Sequence, residues 1–295
     1  MKHWIQAFRL RTLPLAISAI GLGGILAYAN GRFSVEIALL SALTAILLQV
    51  LSNLANDYGD FVKGTDDETR TDRSMASGLI SKRQMQIALV AFSIFSLCSG
   101  LYLLFRAFGE FGNLFLTFLV FGLLSIVAAI AYTVGKRAYG YSGLGDLAVL
   151  IFFGWLAVSG SMVLHMGSWD GFVHSLFVST AFGLLSTGVL NINNIRDIKG
   201  DLKNSKITLA VSLGRKKAEL YQLFLYITAF ILAGVFLFLN SEILFSYYLL
   251  LPLYLWHWIK MKSLTDGDRP AYNKSLKQLV FLNILWVLIF STVVW

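Results

Sequence analysis

The chain has 295 residues, of which 57% are hydrophobic and 14% charged, with a formal net charge of +8. An average soluble domain carries roughly 25% charged residues, and a globule of this size could not hide so much apolar sequence. The balance excludes a disordered chain, a nucleic-acid-binding module and an ordinary cytosolic enzyme. It leaves an all-α polytopic membrane protein, in which an excess of Lys and Arg reports topology.

Nine stretches supply the roughly 20 mostly apolar residues that a bilayer crossing needs. In chain order they fall at about 12–30, 35–56, 85–105, 112–134, 146–166, 172–194, 218–240, 243–260 and 277–295. The first follows Arg9 and Arg11 with no small-residue cleavage site, so it reads as a retained span rather than a signal peptide. With the N-terminus in the cytoplasm and alternating spans, all but Arg32 and Arg106 of the 24 Lys and Arg fall on the cytoplasmic side. One missed helix would scramble that bias, so the reading predicts an inner (plasma) membrane protein with its C-terminus on the opposite side. Cys98 lies alone within the third span and reads as a small buried residue. His3, His165, His174 and His257 are scattered without ligand spacing.

The second and sixth spans end alike. Asn53, Asn56, Gly59 and Asp60 superpose on Asn194, Asp197, Gly200 and Asp201 at a constant offset. The match predicts two four-helix pseudo-repeats in a single domain, roughly 12–134 and 146–260, plus a ninth helix, with a site where the halves meet. Positions i, i+3 and i+7 share an arc of about 60° on a helix. Each end therefore presents three oxygen-bearing side chains in one stripe, and Asp57 adds another carboxylate. Clustered carboxylates at a membrane boundary repel one another and become favourable when hard cations bind between them. Oxygen ligands without His or Cys point to Mg²⁺, typically held by one or two carboxylates plus substrate phosphates. Two facing stripes predict two Mg²⁺ ions clamping a diphosphate.

Cations for such a ligand lie nearby. Lys63 follows Asp60 by a turn, and Arg70 and Arg73 stand in the same loop. Arg196 and Lys199 are interleaved with the second set of acids, Lys206 follows them, and Lys136 and Arg137 lie after the fourth span. Arg196 and Lys199 in particular are placed to neutralise charge developing on a leaving diphosphate. Tyr58, Tyr132, Tyr139 and Tyr141 lie at the cytoplasmic ends, where aromatic faces can steady a cation. A transporter is the alternative from another class. Against it, the acids sit at helix ends on one side and the spans hold almost no ionisable groups at mid-membrane.

The string Asn53-x₂-Asn56-Asp57-Tyr58-Gly59-Asp60, with Asn194-x-Arg196-Asp197-x₃-Asp201, closely resembles the motifs of the UbiA superfamily of intramembrane aromatic prenyltransferases. Arg11-Thr12-Leu13-Pro14, Tyr132-Thr133, Tyr141-Ser142-Gly143-Leu144-Gly145-Asp146 and Lys206-x-Thr208-Leu209-Ala210-Val211 extend the likeness over nearly the whole chain. It departs from the usual spelling at Leu10, at Val134-Gly135-Lys136 and at Asp146. The resemblance implies nine helices around a cavity open to membrane lipid at its side. It implies Mg²⁺-dependent transfer of a prenyl chain from polyprenyl diphosphate to an aromatic acceptor. The motif spelling favours 1,4-dihydroxy-2-naphthoate, attacked at the carboxylate-bearing carbon with loss of CO₂, as in menaquinone synthesis. 4-Hydroxybenzoate and haem B are the alternative acceptors. Asn56 and Asp60 would bind one Mg²⁺, and Asp197 and Asp201 the other, with Asn53, Asp57 and Asn194 in support. Arg11, Lys63, Arg70, Tyr132, Lys136, Tyr139, Tyr141 and Lys206 would contact substrate.

Overall fold

The computed structural model describes residues 2–64, 74–75, 77–135, 137–240 and 245–292. Arg70, Arg73 and Lys136 lie outside the described residues. The short helix α1 (Lys2–Phe8) and a 3₁₀ turn (Leu10–Thr12) lead into α2 (Leu13–Ala29). Then come α3 (Val35–Val62), α4 (Lys82–Phe108) and α5 (Asn113–Ala131). The fifth crossing is composite: α6 (Gly145–Val149), a π-helical segment (Leu150–Gly160) and α7 (Ser161–Met166). It is followed by α8 (Phe172–Lys203), α9 (Leu209–Leu213), α10 (Arg215–Leu239), α11 (Phe245–Tyr248), α12 (Leu251–Lys262) and α13 (Arg269–Ser291). Among the described residues no strand forms, only an isolated bridge between Ser142 and Ile207.

Eight of these helical stretches are long and apolar enough to cross a membrane, and the chain is a multi-pass membrane protein. The count differs from the nine expected at the segment 243–260. Pro252 cannot continue a helix entered from Tyr248, because it lacks an N–H and its ring crowds the preceding turn. A new helix starts at Leu251 with Pro252 in its first turn, leaving α11 and α12 short. The pair still runs antiparallel to α10. Tyr247 packs on Phe230 and Tyr254 on Tyr226, while the Trp258 indole N–H donates to the Glu219 carbonyl at 2.7 Å.

The last helix also differs from expectation. Asp268 caps it by accepting from the Ala271 amide at 3.0 Å, and Pro270 fits its first turn. It therefore starts at Arg269 rather than near 277, which moves Arg269 and Asn273 from a loop onto a helix. Cys98 is exposed on the outer face of α4 rather than buried. Glycines set the tightest approaches between helices: a Cβ on Gly154 would meet the Ser179 carbonyl oxygen at 2.6 Å. Close packing, a use of small residues common between membrane helices, accounts for Gly154.

α8 is the hub, packed on α10, the π-helical segment and α13. The main core gathers Leu22, Phe182, Leu185, Phe230, Tyr254 and Trp286 around it. A satellite cluster of Ala7, Val50, Leu54, Met75, Ile80 and Met85 fixes α1, Met75 and Ile80 against α3 and α4.

Candidate active site

The acidic ends of α3 and α8 meet on either side of Tyr141. The Tyr141 hydroxyl donates to Asp60 Oδ1 at 2.7 Å. Its carbonyl accepts from the Ile207 amide at 3.1 Å, which ties the 3₁₀ turn Tyr139–Tyr141 to the segment after α8. Lys63 Nζ lies 3.7 Å and Lys206 Nζ 5.5 Å from the centre of the Tyr141 ring. Lys206 also pairs with Asp201 at 3.5 Å. Asp60 and Asp197 both lie close enough to Asp201 for their charges to act on it. Burial, opposed by Asp60, lowers the pKa of the Lys63 ammonium below the usual lysine value.

A cavity of about 470 Å³ opens beneath these groups, lined by Asn56, Asp60, Asn194 and Lys206 at its polar end. Leu48, Leu104, Phe118, Phe153, Leu156 and Leu190 form much of its apolar wall. Tyr132 and Tyr139 also line it, in an edge-to-face pair 5.2 Å apart. Burial raises the Tyr139 hydroxyl to about 12 and the Tyr132 hydroxyl well above the ordinary tyrosine value. Both rings therefore stay neutral at physiological pH and offer π faces rather than phenolate charge.

Local sequence explains how Tyr132 comes to this place. Gly59 lets the turn after α5 lie directly on α3, since a Cβ there would sit 2.7 Å from Thr133. The Thr133 hydroxyl donates to the Ala55 carbonyl at 2.8 Å and lies 3.2 Å from Asn56 Oδ1, which sets that amide at the cavity wall.

The other expected site residues differ in how far they reach the cavity. Asp57 is buried behind the cavity, 3.7 Å from the Arg9 guanidinium and hydrogen-bonded by the Ser74 and Met75 amides. Asn53 reaches the cavity wall, but its amide nitrogen donates to the Phe8 carbonyl and the Thr12 hydroxyl, both at 3.0 Å. Arg11 lines the cavity from the 3₁₀ turn. Lys199 turns outward, its side chain 82% exposed and paired with Asp266 at 3.3 Å. Arg215 and Lys199 hold the Asp266 carboxyl below the usual carboxylate range.

The Arg196 fork is fully committed. It grips Asp197 through two nitrogens at 2.5 and 3.1 Å and donates to Asn273 at 2.7 Å and Asn193 at 2.8 Å. Arg269 adds a second contact to Asp197 at 3.4 Å. Both Arg269 and Asn273 belong to the first turns of α13, in a stretch whose hydropathy alone predicts a loop. Asp268-Arg269-Pro270, an N-cap followed by Pro in the first turn, is the local signal for that start.

The donor set suits a hard cation. Asn56, Asp60 and Asp201 offer only oxygens, and Asp201 Oδ2 is buried without a hydrogen-bond partner. Among the described residues no group of three or more His, Cys, Asp or Glu forms a ready-made cage.

Apolar helices around a cavity with an acidic, lysine-flanked mouth define an intramembrane enzyme for an amphiphilic anion. The chain belongs to the UbiA prenyltransferase family, whose model matches residues 16–287. It is 42% identical to 1,4-dihydroxy-2-naphthoate octaprenyltransferase of Escherichia coli (strain K12), over 97% of this chain and 94% of the relative. It is 44% identical to the protein of the same name from Haemophilus influenzae, over 75% of this chain and 72% of the relative. In fold it is similar to a UbiA homologue from Aeropyrum pernix K1, with a TM-score of 0.67, 18% identity and 96% and 97% of the two chains covered. A homologue from Archaeoglobus fulgidus bound to GPP and Mg²⁺ superposes with a TM-score of 0.64 at 17% identity, over 99% of this chain and all of the other.

Proposed function

We propose that this prenyltransferase moves a polyprenyl group from polyprenyl diphosphate to 1,4-dihydroxy-2-naphthoate, with loss of CO₂, at the cytoplasmic face of the plasma membrane. The observation that carries the reading is the convergence of Asp60 and Asp201, from two different helices, around Tyr141 at the mouth of an apolar cavity. The names of the relatives at 42% and 44% identity support the acceptor. The lysine and arginine distribution supports an N-terminus in the cytoplasm and a C-terminus on the opposite side.

Asn56 and Asp60 on one side, and Asp197 and Asp201 on the other, would hold two Mg²⁺ ions. When bound, they supply charge neutralisation on the departing diphosphate. The chain's own groups do the rest. Lys63 and Lys206 bind diphosphate oxygens at the mouth. Arg196 and Arg269 fix the orientation of Asp197. As the allylic C–O bond breaks, Tyr132 and Tyr139 present neutral ring faces to the carbocation, and the apolar wall keeps water from it. The naphthoate ring carbon then forms the new C–C bond, and its bond to the carboxylate breaks with the electron pair returning to the ring. A cavity of about 470 Å³ suits a drug-sized ligand, so a tail of tens of carbons extends beyond it into lipid.

Membranes carrying the protein, given labelled polyprenyl diphosphate, Mg²⁺ and each aromatic acceptor in turn, test the reading. Prenylated naphthoquinol and released CO₂ are expected with 1,4-dihydroxy-2-naphthoate, and none after Mg²⁺ is chelated. No product with any acceptor would overturn it.

A further inference from the structure

The reaction proposed above brings two anions to one cavity, a diphosphate and an aromatic carboxylate. The groups around Tyr141 account for the first. On α13, the residues Arg269, Asn273 and Lys277 follow at four-residue spacing and so form one stripe. Arg269 contacts Asp197 and Asn273 accepts from Arg196, so the first two are engaged with the acidic end of α8. Lys277 is not engaged: among the described residues no hydrogen bond, ion pair or ring contact involves it, yet it lines the cavity beside Asn273, Leu276 and Val280. At 1.5 Å per residue it lies about 12 Å further along the helix than Arg269, deeper than the acids.

A lysine inside a membrane helix facing an apolar cavity is costly, and such residues mark ligand sites. The prenyl tail carries no charge for it to meet. Lys63 and Lys206 already flank the diphosphate mouth near Asp60 and Asp201. The remaining anion is the carboxylate of the acceptor. We propose that Lys277 is the specificity-determining residue that recognises this carboxylate, an inference that rests on the function proposed above. Its setting fits a group that must later leave as CO₂. A single exposed ammonium attracts the acid without the bidentate grip that Arg196 gives Asp197, which would hold the carboxylate in place.

The test compares 1,4-dihydroxy-2-naphthoate with naphthalene-1,4-diol, the same ring without its carboxylate. The full-length protein in membranes is assayed as wild type, Lys277→Met, Lys277→Arg and, as a control off the cavity, Lys274→Met. The ratio of kcat/KM for acid over diol is expected to fall roughly tenfold in Lys277→Met, the scale of one lost charge-assisted hydrogen bond. It is expected to recover only in part in Lys277→Arg, which restores the charge but grips the carboxylate more firmly, and to stay at the wild-type value in Lys274→Met. An unchanged ratio in Lys277→Met, or a loss shared equally by both acceptors, would overturn the proposal. So would a loss that appears only in KM for the diphosphate. Absence of wild-type turnover with the acid would instead overturn the functional reading beneath it.

Discussion

The acidic ends of α3 and α8 share a spelling, yet their side chains have different duties. On α3, Asn53 is bound to Phe8 and Thr12, and Asp57 to Arg9 and the amides of Ser74 and Met75. Half of that stripe therefore anchors α1 and the loop before α4, leaving Asn56 and Asp60 for the cavity. On α8, Asp197 is clamped by Arg196 and Arg269, which join α8 to α13. The matched glycines diverge as well. Gly59 gives way to Thr133, whereas a Cβ on Gly200 would meet nothing within 4 Å. Spacing along a helix fixes which groups share a face, but the neighbour packed on that face decides what they do.

Substitutions can break this comparison, beginning with the largest effect. Asp201→Ala removes a carboxylate whose Oδ2 has no hydrogen-bond partner and whose Oδ1 meets only Lys206, and turnover is expected to fall at least about a hundredfold with the helices intact. Asp57→Ala should divide the other way. It strands Arg9 and two backbone amides, so a loss of roughly 1–3 kcal/mol of stability is expected, read as a lower unfolding temperature in detergent. Smaller again is the contrast between the paired asparagines. Asn53→Ala leaves the Phe8 carbonyl and Thr12 hydroxyl without their donor and should cost about 1 kcal/mol of stability. Asn194→Ala is expected to raise KM for the diphosphate in an initial-rate assay instead, because Asn194 lines the cavity.

The fold was largely legible in the sequence because lipid demands long apolar runs, and eight of the nine expected spans answer to that demand. It failed where a local backbone rule overrode hydropathy. Pro252 divides an apolar run, and Asp268 with Pro270 starts α13 within a basic stretch that hydropathy assigns to a loop. Within the site, Asp60, Asp201, Tyr141, Lys63 and Lys206 come together around one ring. Lys199 could not be told from Arg196 by spacing. Asp266, from the distant loop between α12 and α13, draws Lys199 outward, while Asn273 holds Arg196 inward. Such tertiary partners leave no periodic trace along the chain, and the same holds for the place of Lys277 at the cavity wall.

The joint grip of two helix ends on one diphosphate is tested most directly by a double-mutant cycle on donor binding. Geranyl diphosphate affinity is measured with and without Mg²⁺ for wild type, Asp60→Asn, Asp201→Asn and the double variant. The account predicts Mg²⁺-dependent binding that either single change largely abolishes, and a double variant hardly weaker than the worse single, because both acids serve one ligand. Losses that simply add, or binding indifferent to Mg²⁺, would contradict it.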